Sequence, residues 1–104
     1  MGNCTVSLVK SKKFRDANGK EKVELIVDIT LSDSYAAGGD SIDLSPYVTS
    51  VDVILLENSV VGSYLLEVDR ANSKIKAYSG VGTEVTEGTN LSSVSVRAVV
   101  YGSG

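Results

Sequence analysis

The chain has 104 residues, with thirteen acidic and ten basic side chains, one cysteine, no histidine and no tryptophan, for a net charge of −3. That length supports one domain around one core, burying roughly 60 to 70% of the surface of the extended chain. A lone thiol excludes an internal disulfide, the missing imidazole removes the usual general base of Ser and Cys hydrolases and the commonest metal ligand, and no run of about 18 apolar residues offers a membrane span.

Ten glycines against one proline leave the turns to Gly, Asn, Asp and Ser. Recurring Val, Ile, Thr and Tyr, without Ala-, Leu- or Glu-rich windows, predict strands throughout. No charged start followed by an apolar stretch reads as a signal peptide, so cytoplasmic synthesis is expected. Met1-Gly2-Asn3-Cys4 resembles an acylation site, but Val6 stands where the myristoylation pattern needs Ser or Thr. The plainer reading is a first strand from Cys4 to Val9, with Cys4 a small buried or half-buried thiol.

Thr5 to Lys13 alternates and then turns lysine-rich. Arg15 to Lys20 is a hairpin loop in which Asn18-Gly19 is the strongest short turn signal. The return strand, expected to be the longest, sets Val23, Leu25, Val27, Ile29 and Leu31 on a core face and Glu24, Ile26, Asp28 and Thr30 on a mostly wet one. Charge is concentrated here. From Lys10 to Lys22 six basic residues outweigh two acidic ones for a net +4, which leaves −7 on the rest of the chain. Either this is a solvated hairpin tip, or it is one pole of a surface that meets complementary charge on a protein partner. Nucleic acid fits less well, because the chain is acidic overall and Phe14 alone lies within the patch to stack on bases.

Ser32 to Pro46, with paired glycines and side chains that bond their own backbone, predicts a long irregular connection of the kind that often carries function or crosses between sheets. Ser45 to Val48 adds a single helical turn. Asp33, Asp40 and Asp43 share this loop, but without the spacing of a calcium loop they read as turn formers. Ser50 to Glu57 resumes alternation, with Val51, Val53 and Leu55 inward and Ile54 and Leu56 on a second covered face.

After a loop at Asn58 to Gly62 comes a hairpin: Tyr64, Leu66 and Val68 share one face of its first arm, and Ile75 and Ala77 alternate with Lys74, Lys76 and Tyr78 on its second. Asp69 to Ser73 reverses the chain, with Asn72 expected in the left-handed conformation. Glu67 with Asp69 would need an aromatic-lined cleft to act as a glycosidase pair, and fits a wet strand face better. A short strand follows at Glu84 to Thr86. Leu91 to Tyr101 is the last long strand, with Val94, Val96, Ala98 and Val100 on one face, and Gly102-Ser103-Gly104 reads as a flexible end. Gly80-Val81-Gly82 and Gly38-Gly39 lack the Gly-Lys-Ser/Thr of a phosphate loop. Seven or eight strands at this spacing predict a single all-β domain, an antiparallel sandwich or jelly roll, with no cofactor or metal site.

Three segments taken together resemble small structural proteins of tailed bacteriophages. They are Asp33-Ser34-Tyr35 with Gly38 to Leu44, then Gly62-Ser63-Tyr64 through Asp69 to Tyr78, then Glu84-Val85 with Gly88 to Ser92 and Val94 to Gly102, so the likeness spans Val23 to Gly102. Ser63, inserted between Gly62 and Tyr64, and Glu67-Val68, in place of an aromatic-Asp strand end, depart from the pattern. The resemblance implies a capsid decoration (cement) or minor head protein, made in the bacterial cytoplasm and carried on the virion. It would be non-enzymatic and bound to the outside of the major capsid protein shell, commonly as a trimer, with no nucleic acid or membrane partner. A tail or head-fibre component, or a carbohydrate-binding surface module, is the alternative. On this view the first contact candidates are Lys10, Lys12, Lys13, Phe14, Arg15, Lys20 and Lys22 on the arm, and the second Asp33, Tyr35, Asp40 and Asp43 in the loop.

Overall fold

A computed structural model of the chain describes residues 2–80 and 82–103. Those residues form nine strands and no helix: β1 (Thr5–Arg15), β2 (Glu21–Thr30), β3 (Asp40–Ser41), β4 (Ser50–Leu56), β5 (Val60–Val61), β6 (Tyr64–Asp69), β7 (Lys74–Gly80), β8 (Thr83–Glu84) and β9 (Ser95–Ser103). They make two antiparallel sheets, one ordered β1-β2-β9-β4 and the other β3-β7-β6-β5, with β8 added beside β7. The expected all-β sandwich is what the chain adopts, with two unexpected two-residue strands, β3 and β5, raising the number above the seven or eight expected.

The core follows the period-2 pattern. Val23, Leu25, Val27 and Ile29 of β2 and Val96, Ala98 and Val100 of β9 are buried on one face of the first sheet, opposite Leu66 of β6 and Ile75 and Ala77 of β7 on the second. Loop residues Leu31, Tyr35, Ile42, Leu44, Val48, Val85 and Leu91 close the open sides of the sandwich. The turn after Leu44 forms as expected, with the N–H groups of Tyr47 and Val48 both donating to the Leu44 carbonyl.

Several local expectations change. In β4 the pairing with β9 slips between Val51 and Val53. Such a bulge reverses the facing of everything beyond it, so Ile54 and Leu56 turn to the core while Val53 and Leu55, expected inside, are 38% and 54% exposed. The β6–β7 turn takes its left-handed residue at Ser73, φ 53°, because Asn72 is held by Asp69, which accepts from both its main-chain and side-chain nitrogens. β8 comes slightly early, at Thr83–Glu84, and β1 rather than β2 is the longest strand. Finally, Leu91 to Val94 is a turn, and β9 starts at Ser95 but runs through Ser103. The segment expected to be a flexible end is therefore strand as far as the description reaches. Val81 and Gly104 lie outside the described residues.

Gly102 shows why the end is ordered. It pairs with Val23 on one side and Val51 on the other, and a Cβ placed there would collide with the main-chain oxygen of Ser50. Gly102→Ala should therefore cost about 1–3 kcal/mol by overpacking backbone against backbone, lowering the melting temperature by about 4–8 °C per kcal/mol in thermal denaturation.

Candidate interaction surface

The basic segment is the far half of the β1–β2 hairpin. Its loop is built around Asp16, whose Oδ1 accepts the N–H groups of Asn18 and Lys20, while Gly19 takes φ 77° and its carbonyl accepts a 2.9 Å bond from Arg15 Nη1. The register divides the arm into two faces. Lys10, Lys12 and Phe14 lie opposite Ile26, Glu24 and Lys22 on the outer face, and Ser11, Lys13 and Arg15 lie opposite Leu25, Val23 and Glu21 on the core side. Lys22 is not a free cation: its Nζ sits 2.9 Å from Asp52 and donates to the Ser103 hydroxyl. Lys13 is loosely paired with Glu21 at 3.8 Å, whereas Lys10, Lys12 and Lys20 make no ion pair among the described residues.

The outer face of the same sheet continues the arm. One row across it is Lys10, Ile26, Val99, Leu55, and the next is Lys12, Glu24, Tyr101, Val53. Phe14 meets Tyr101 edge-on, ring centroids 6.1 Å apart. Tyr101 donates toward Glu24, which holds its phenol above the ordinary value. Below the apolar rows Arg97 grips Asp28 through two nitrogens, at 2.9 and 3.3 Å. The surface therefore grades from lysine at the β1 edge to exposed aliphatic side chains at the β4 edge.

The loop from Ser32 to Pro46 reaches the arm through Pro46, which shares a groove with Lys13 and Glu21, but two of its candidates are corrected. Tyr35 and Asp40 are fully buried and cannot touch a partner. Asp40 accepts the N–H of Ser32 with one carboxylate oxygen and that of Ala36 with the other. Tyr35 accepts the N–H of Ala77 and donates a 2.7 Å bond to Glu84, and burial pushes its phenol well up. Asp33 and Asp43 are exposed but apart: Asp33 lines a groove with Asn3 and Thr30, while Asp43 lines another with Arg70 and accepts from Ser45.

No group of three or more Cys, Asp or Glu side chains gathers in metal-binding geometry among the described residues. Cys4 is half-buried beside Asp40, and burial foremost pushes its thiol up to about 12, so it stays protonated and weakly nucleophilic at neutral pH. Sequence reasoning missed Val53 and Leu55 as surface residues. Their strand is apolar on both faces, so alternation carried no sign of the bulge that turns them out. No protein family, curated protein or solved structure was found to match this chain.

Two predictions follow from the internal polar contacts. Tyr35→Phe leaves the buried Ala77 N–H unpaired and should cost about 1–3 kcal/mol in denaturant unfolding. Asp16, Asp28, Asp43 and Asp69 are held below the ordinary 3.8, chiefly by the Lys20 N–H, Arg97, the Ser45 hydroxyl and the Asn72 side chain respectively. As pH falls the unfolded chain takes up protons at these groups first, so their contribution, intact above about pH 4, is lost below it. Melting temperatures measured from pH 7 down to pH 2 should show a plateau and then a decline.

Proposed function

We propose that this chain is a non-enzymatic decoration protein of a tailed-bacteriophage virion, made in the bacterial cytoplasm. It binds the outer surface of major capsid protein subunits through its basic arm and the adjoining sheet face, as a homo-oligomer with a trimer favoured. The observation that carries the binding role is the arm itself: a hairpin with three lysines that make no ion pair among the described residues, continuous with an apolar sheet face, on a body 44 Å long and 24 by 21 Å across. The capsid as the partner is supported by the resemblance of Val23 to Gly102 to phage structural proteins.

Physically the role asks little of any one contact. A lattice offers the same site many times, so modest contacts multiply once the copies are linked. Surface buried across neighbouring capsid subunits then opposes their separation under the pressure of packaged DNA. Electrostatic steering by the arm speeds the encounter and makes it sensitive to salt.

Cosedimentation with undecorated shells tests this, with light scattering reporting the oligomeric state. Wild-type protein should pellet with the shells at low and moderate salt, and the Lys12→Glu/Lys13→Glu/Arg15→Glu variant should stay in solution at moderate salt. Undiminished binding by that variant would remove the arm, and a wild type that ignores shells at low salt would remove the capsid.

A further inference from the structure

β1 is an edge strand along its whole length, and no main-chain hydrogen bond joins Thr5–Arg15 to any element but β2 among the described residues. Its start is covered, because Asn3 bridges Ser41 of β3 and the Cys4 N–H donates to the Ser41 carbonyl. β3 is only two residues long, so the second sheet offers no further strand along that side. From Leu8 onward the sandwich stands open. Behind the edge runs a groove of about 350 Å³ with Val23 and Leu25 as its floor, Leu8 and Ser11 on the strand side and Pro46 and Tyr47 opposite. Leu8, on its wall, is 41% exposed, and Val9 beside it in the strand is 47% exposed.

The charges along the edge choose what can fill it. Lys10 and Lys12 project from the outer face two positions apart, and Ser11 between them faces the groove. Lysines and a bulge, here between Leu8 and Lys10, are devices that keep an edge from pairing indiscriminately. Against a second copy they work by repulsion, since β1 antiparallel to another β1 would oppose lysine to lysine. Against an acidic strand the same two lysines attract, and selectivity comes from both effects at once.

We propose that the free edge of β1 accepts an extended acidic segment of a partner protein as a fifth strand of its sheet. The segment alternates acidic, apolar and acidic residues. Its carboxylates meet Lys10 and Lys12, its apolar side chain enters the groove beside Leu8, and its backbone pairs with the edge. This deepens the binding role proposed above and rests on that reading only for the identity of the partner.

A fluorescently labelled peptide of alternating glutamate and valine, titrated into the whole protein, tests the inference by anisotropy. It should bind saturably and about tenfold or more tighter than a lysine–valine peptide, and hydrogen exchange should slow at the amides of β1. Lys10→Glu/Lys12→Glu, both exposed positions, should keep the fold by circular dichroism and reverse the preference between the two peptides. Equal affinity for both, no saturable binding, unchanged exchange along β1, or protection of β1 that grows with protein concentration alone would each overturn the proposal. Shell binding is read separately: shells bound without peptide binding would leave the capsid reading standing and remove the added strand, and the reverse result would do the opposite.

Discussion

The antiparallel pairing of β2 with β9 is the constraint on which everything else depends. Val27 lies opposite Ala98, Leu25 opposite Val100 and Ile29 opposite Val96, and all six are at most 5% exposed. Each large aliphatic side chain so buried contributes about 1.5–3 kcal/mol, and the pair is covered on its flanks by β1 and β4. The arm exists because β2 continues outward past this core with β1 still hydrogen-bonded to it. The exposed face exists because the same pairing turns Ile26, Val99 and Tyr101 away from the second sheet. Core and surface are two sides of one register, and a one-residue slip would exchange them.

A second constraint is polar. A fifteen-residue connection running past an open side of a small sandwich leaves main-chain groups out of reach of any ladder, and buried groups must be paired. Asp40 pairs two of them, at Ser32 and Ala36, and the Tyr35 hydroxyl in turn accepts the N–H of Ala77 in β7. Main-chain bonds from Tyr35 to Thr89 and from Gly88 to Tyr35 tie the same loop to the segment before β9. The loop is therefore a plug whose polar residues serve its own fold. Its exposed residues are Asp33, Ala37, Asp43, Ser45 and Pro46.

This explains which parts of the fold were legible from residues alone. Strands with one wet face, β2, β6, β7 and β9, carry their orientation in the alternation of apolar with charged or hydroxyl side chains, and they formed on the faces expected. β4 carries no such contrast, since Val51, Val53, Ile54, Leu55 and Leu56 are all apolar, and its orientation is set by a bulge against β9 that only the partner strand defines. Tyr35 and Asp40 sit among serines and glycines, a local composition that signals exposure, yet Tyr35 is tied to Ala77 and Glu84, more than forty residues away, and Asp40 turns inward to accept the N–H groups of Ser32 and Ala36. Asn72 and Ser73 were both compatible with the left-handed position, and Asp69 decided between them by taking the Asn72 side chain. Of the surface, the charge of the arm was legible because it is contiguous in sequence. The apolar half was not, because it is assembled from three strands.

The two edges of the first sheet sharpen what kind of partner such a surface can select. Both carry a bulge, between Leu8 and Lys10 in β1 and between Val51 and Val53 in β4. At β1 the residues beyond the bulge are lysines on the outer face, and at β4 they are Val53 and Leu55. A partner lying across the sheet thus meets cations at one side and aliphatic groups at the other, three strand spacings or about 14 Å apart. Hydrophobic contact alone does not discriminate between orientations, and charge alone is weakened by salt. Their separation across a single rigid sheet means that a partner turned end for end would bring carboxylates onto Leu55 and leave Lys10 and Lys12 against apolar surface, an arrangement that desolvates charge without compensation. The gradient therefore fixes orientation as well as affinity, which repeated binding on an ordered surface requires of each copy.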